Sequence, residues 1–185
     1  MNDSKSAMED LSTRIQRLEA RQQLSDLVAN YCMAVDYRDL EALADLYTSD
    51  AEFEGAAGKA TGREAIISYY RERLALFGPT YHYPHSQTIE FQGENEATGI
   101  VNAHAELAIE GSMFIIALRY LDRYAREDGH WKFRERTIQT LYAVPLAELP
   151  DAFGNPFRKR WPGAEPETCE LPESLDSWKK FTGDS

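Results

Sequence analysis

The feature that most restricts how this chain folds is a change of hydrophobic period near residue 80. Before it, apolar residues recur at helical spacing. Leu24, Leu27, Val28, Tyr31, Cys32 and Val35 share one stripe, and Leu11, Ile15 and Leu18 precede them. That stripe predicts one long helix over about residues 8–36, opened by a capping box at Ser6 and Glu9, its second half the more buried. Asp39 is expected to cap a short second helix carrying Leu40, Leu43, Leu46 and Tyr47 on its inner side, and residues 51–54 read as a strand. Thr61-Gly62-Arg63-Glu64 reads as another capping box. It opens a helix with Ile66, Ile67, Tyr70 and Leu74, which Phe77-Gly78-Pro79 ends.

After residue 80 the period is two. Residues 81–92, 96–109, 112–126 and 130–143 read as four long strands. Gly93-Glu94-Asn95, Glu110-Gly111 and Asp128-Gly129 separate them, and Asp-Gly accepts the positive φ of a tight hairpin. Sequential hairpins make an antiparallel meander. Helices followed by strands predict an α+β fold, with the N-terminal helices packed across a strongly curved sheet to form a cone. With no Gly-rich loop and no strand–helix alternation, the phosphate-binding βαβ folds are excluded. The hollow of such a cone is the natural small-molecule site.

From Val144 onward the pattern changes. Six prolines, from Pro145 to Pro172, punctuate a segment with little periodicity. We divide the chain into a domain over residues 1–143 and an extended tail over 144–185. The tail aromatics Phe153, Phe157, Trp161, Trp178 and Phe181 imply packing on the domain or on a neighbouring subunit.

The formal net charge of −11 argues against nucleic-acid and anionic-lipid partners, which select basic surfaces. Cys32 and Cys169 make no disulfide framework, and with no C-x-x-C or H-E-x-x-H pattern no metal is expected. No apolar leader precedes Arg14 and no run reaches 18 apolar residues, so a cytoplasmic protein with reduced thiols is expected.

Several polar residues are placed to do chemistry. Tyr31 continues the buried helix stripe, and Asp36 sits where that helix should end. His82-Tyr83-Pro84-His85 opens a strand whose proline disturbs the ladder, as at a bulge. Asn102, His104 and Glu106 share one strand face, either solvent or a polar cavity wall. Arg136 alternates away from Trp131 and Phe133, so it shares their face only if a bulge intervenes. The supply of aromatics, Tyr47, Phe53, Tyr70, Phe114, Tyr120, Tyr142 and Trp161, suits an aromatic or polycyclic substrate.

The order of these features resembles the SnoaL-like branch of the nuclear-transport-factor-two-like superfamily. The carrying residues are Tyr31-x4-Asp36-x2-Asp39-x3-Ala42-Leu43-x2-Leu46-Tyr47-x2-Asp50-Ala51-x-Phe53, then Gly62-Arg63-Glu64-Ala65-Ile66. His82 with Ile89-x-Phe91-x-Gly93, and Tyr124-x3-Asp128-Gly129-x-Trp131-Lys132-Phe133, complete it. The resemblance covers about residues 8–142. It implies a cone fold, a homo-oligomer (dimer or trimer), and dehydratase or dehydrochlorinase roles on Asp36, His82 and Arg136, with Tyr31 added from the bile-acid dehydratase pattern. An acidic residue on the next strand falls nearest Glu106 or His104. The implied reaction is a cofactor-independent elimination or C–C cleavage. Asp36 holds His82 as general base, and Tyr31 or Arg136 stabilises developing charge, with His85, His104, Glu106, Tyr47, Phe53 and Tyr120 around the substrate. An isomerase, cyclase or hydrolase in the same pocket, or a non-catalytic binding or dioxygenase small-subunit-like scaffold, are the alternatives on this fold.

Overall fold

The structure, a computed structural model, describes residues 2–152, 156–169 and 171–183, and of residues 2–7, 9 and 151 the backbone only. Helix α1 spans Asn2–Tyr37, so it starts ahead of the expected capping box. The side chains of Ser6 and Glu9 lie outside the described residues. The second half of α1 is buried as its stripe requires, with Leu24, Tyr31 and Val35 sealed in the core, whereas Met8, Leu11, Ile15 and Leu18 are exposed.

Arg38 turns the chain at a φ of 62°, and Asp39 then caps α2 (Leu40–Asp45) through a 2.9 Å bond from the Ala42 N–H, as expected. Tyr47 departs from expectation: it opens strand β1 (Tyr47–Gly55) instead of lining α2. β1 turns back into β2 (Gly58–Thr61), four residues too short and polar to announce a strand. Helix α3 (Arg63–Leu74) is capped by Gly62 with no side-chain bond. Thr61 cannot serve as the cap because it is already paired with Glu52 in the sheet.

The four long strands are β3 (Thr80–Phe91), β4 (Glu96–Ile109), β5 (Ser112–Glu127) and β6 (His130–Pro145). They form the expected antiparallel meander within a six-stranded sheet of order β2-β1-β6-β5-β4-β3. Asp128 and Gly129 both take positive φ, 54° and 81°, as the tightest hairpin turn demands. One pairing corrects the all-antiparallel expectation. β1 lies parallel to β6, with Phe53 opposite Arg136, because α3 and three hairpins intervene before the chain returns to β1.

Three bulges bend the meander, and the β1–β6 pairing slips once more between Tyr47 and Glu52. His85 is the extra residue in β3, where the register slips between Pro84 and Ser86. In β6 the extra residues are Arg134 and Leu141. Each reverses the in–out parity of the residues that follow it. On β4 the inward residues are Val101, Ala103, Ala105 and Leu107. The alanines are too small to fill the space under the helices, which leaves a hollow.

The tail is less extended than expected. It holds a 3-10 turn (Leu146–Asp151), a two-residue ladder of β7 (Phe157–Arg158) with β8 (Glu167–Thr168), and a helix α4 (Asp176–Thr182). A 2.7 Å bond from the Ala143 N–H to the Lys159 carbonyl ties it to β6. Tyr142 packs with Ala117 and Val144 against Leu149 and Ala152, apart from the main core. Phe153 lies outside the described residues. Among the described residues no helix is long and apolar enough to cross a membrane.

Candidate active site

A cavity opens between α1, α3 and the inner face of the sheet, holding about 680 Å³ of empty space including its open mouth. Val35, Phe53, Leu74, Ile116, Leu118 and Ile138 make its wall mostly apolar. The polar groups on it are few: Tyr31, Tyr70, Thr80, His82, Tyr120, Thr140 and Arg73 are the main ones.

Asp36 and His82 meet, although 46 residues separate them. Asp36, at the end of α1, accepts three hydrogen bonds from the start of β3. Its Oδ1 lies 2.6 Å from His82 Nδ1 and 2.9 Å from Thr80 Oγ1, and its Oδ2 takes the His82 backbone N–H at 2.8 Å. Thr80 in turn accepts from Arg38 Nη1 at 2.7 Å, and Arg38 Nη2 donates to the Gly78 carbonyl at 2.6 Å. Thr80 and Arg38 were not singled out from the sequence. Thr80 was legible, because strand alternation puts residues 80 and 82 on one face. Arg38 was not, since its role depends on a left-handed backbone at a helix exit.

Burial pushes the Asp36 carboxyl upward, but the bonds from His82 and Thr80 outweigh it and hold its pKa below the ordinary carboxylate value. An ionised carboxylate can only accept, so the proton shared with His82 sits on Nδ1. The imidazole lines the cavity. Its other nitrogen, Nε2, is the one left for a bound molecule. The carboxylate therefore fixes the orientation of the ring.

Tyr31 also lines the cavity, and its hydroxyl lies 2.8 Å from that of Tyr70. Burial raises the Tyr31 pKa, against the opposing pull of Arg136, so the phenol stays protonated. Tyr47 was expected at the substrate. It is instead fully buried behind the wall, 3.4 Å from the Tyr70 hydroxyl, and supports that pair. Phe53 and Tyr120 do line the cavity. The Tyr120 hydroxyl is buried with no hydrogen-bond partner among the described residues. Of the remaining aromatics named from composition, Tyr70 and Trp161 line the cavity, whereas Phe114 and Tyr142 do not.

Arg136 is a partial correction. The bulge at Arg134 restores it to the inner face, which resolves its conflict with Trp131 and Phe133. It is completely buried and does not reach the cavity. Nε and Nη2 each donate to Asp122 at 2.8 Å, and the rings of Tyr31, Tyr120 and Phe133 lie 4.1, 4.2 and 3.8 Å from its Cζ. It props the aromatic floor and biases Tyr31 electrostatically from behind the cavity wall.

His85, His104 and Glu106 are corrected outright as cavity residues. The even-numbered residues of β4 point away from the helices, and the bulge aims His85 the same way. His85 Nε2 and His104 Nδ1 lie 2.7 Å apart on that outer face. Burial and the neighbouring His85 both lower the His104 pKa. Among the described residues no three His, Cys, Asp or Glu side chains are placed to hold a metal ion.

The sequence-matched SnoaL-like domain covers residues 16–137. Gamma-hexachlorocyclohexane dehydrochlorinase of Sphingobium indicum is 33% identical over 140 residues, 73% of this chain and 89% of that protein. The crystal structure of LinA superposes with a TM-score of 0.69 at 30% identity, covering 72% of this chain and 94% of the other. The LinA-type3 hexachlorocyclohexane dehydrochlorinase of Novosphingobium barchaimii gives 0.68 at 26%, over 72% and 94%. With the family match extending over more than half of its length and the cone fold shared with these structures, this chain belongs to the SnoaL-like domain family.

Proposed function

We propose that this chain is a cofactor-independent lyase that eliminates a leaving group from a small hydrophobic, ring-bearing substrate. The observation that carries the reading is the Asp36–His82 contact on the wall of an apolar cavity. His82 Nε2 takes a proton from a substrate carbon. The C–H electron pair becomes the new double bond, and the group on the adjacent carbon leaves with its own pair. Asp36 stabilises the imidazolium that forms, without itself being protonated. Tyr31, kept neutral and bonded to Tyr70, donates a hydrogen bond to a departing oxygen or halide. The apolar wall strengthens both interactions by excluding water. The dehydrochlorinase relatives support elimination as the reaction class.

The test is release of chloride from γ-hexachlorocyclohexane and of water from cyclic β-hydroxy ketones, by the wild type and by His82→Gln. The expected result is turnover of at least one compound, cut about 10²–10⁴-fold in His82→Gln at an unchanged melting temperature. Equal activity in the variant, or none in the wild type, overturns the reading.

A further inference from the structure

Among the described residues Arg73 is the only fixed positive charge on the cavity wall, and no carboxylate lines that wall. It stands in the last turn of α3, where a cation complements the helix dipole, but exposed Arg71 in the same turn already meets that need. Arg73 instead faces the mouth half-buried, its Cζ 5.3 Å from the Phe77 ring centre and 5.2 Å from that of Trp161. Ring faces balance part of the charge, yet they do not use the guanidinium's planar fork of N–H donors. Among the described residues those donors have no carboxylate or carbonyl acceptor. A half-buried fork at the edge of an apolar hollow is a carboxylate receptor by shape and charge. In a chain of net charge −11, which repels anions at long range, such a cation gives local selectivity. Trp161, which completes this mouth, lies beyond the residues 16–137 that the family match covers.

We propose that Arg73 is a specificity-determining residue that binds the carboxylate of an apolar, ring-bearing acid, with the ring lying inward toward His82 and Tyr31. Calling that acid a substrate rests on the lyase reading; the binding itself does not.

The test compares 3-phenylpropanoate with its neutral amide, 3-phenylpropanamide, by calorimetric titration of the full chain at low and high salt. The wild type is expected to bind the acid about tenfold more tightly than the amide, an advantage that shrinks with salt. Arg73→Gln should abolish the preference while leaving the amide affinity within about twofold, and Arg73→Lys should keep part of it. The proposal is overturned if the wild type binds both alike or binds neither, or if the preference survives Arg73→Gln. It is also overturned if Arg73→Gln weakens acid and amide equally, since Arg73 would then only clamp Trp161. Because binding is what is read, failure to find turnover sinks the lyase reading alone, and loss of the acid preference sinks this one alone.

Discussion

Arg136 shows how far a single residue can be read from its neighbours. Alternation from Trp131 and Phe133 puts it on the outer face, and only the extra residue at Arg134 brings it in. Nothing in the identity of Arg134 marks it as a bulge, so the inward position was legible through the family resemblance and not through periodicity. Its sequestration under three rings, paired with Asp122, was legible through neither. The consequence is mainly one of stability. Arg136→Met strands a fully buried carboxylate at Asp122 and should cost about 3–5 kcal/mol in urea unfolding. Asp122→Leu added to Arg136→Met should recover part of that loss. A single variant as stable as the wild type would contradict the buried pair. His82 and Asp36 were the opposite case, since the end of a helix and the start of a strand could both be located, and their contact needed only the sheet to curve under the helix.

At the scale of elements, the strands were legible because their alternation is long and their turns carry glycine. β2 was not, being four residues of mixed polarity, and the parallel pairing of β1 with β6 depends on contacts distant in sequence. The resemblance set His104 and Glu106 around the substrate, whereas alternation alone grouped them on one face of β4 and left open which face met the helices. The deciding factor is that Val101, Ala103, Ala105 and Leu107 are the apolar set. Gly99 on this inner face is required by close packing. A Cβ there would lie 2.7 Å from the Thr88 carbonyl oxygen and 3.0 Å from Tyr124 Cε2. Gly99→Ala should therefore destabilise the fold by about 1–3 kcal/mol in thermal or urea melts, and a neutral effect would show that β3 and β4 are less tightly paired than described.

Across the whole molecule, two carboxylates couple the fold to pH. Asp36 joins α1 to β3. Glu127, at the end of β5, accepts from Ser49 and Arg63 and is held at about 2 against an ordinary 4.5, chiefly by the Ser49 backbone N–H. Both values are depressed in the folded state, so both groups stabilise it above their ordinary values of 3.8 and 4.5. That stability is lost as pH falls through the folded values. The melting temperature should decline as pH drops from 4.5 toward 2, with a shallower decline in Asp36→Asn and in Glu127→Gln. A decline as steep in both variants as in the wild type would place the acid sensitivity elsewhere.

The most direct measurement of the central claim is the tautomer of His82, read from ¹⁵N chemical shifts of histidine-labelled protein at neutral pH. The expected spectrum has the proton on Nδ1 and a bare Nε2, with that preference weakened in Asp36→Asn. A proton on Nε2, or a tautomer mixture indifferent to Asp36, would contradict a base oriented by its carboxylate.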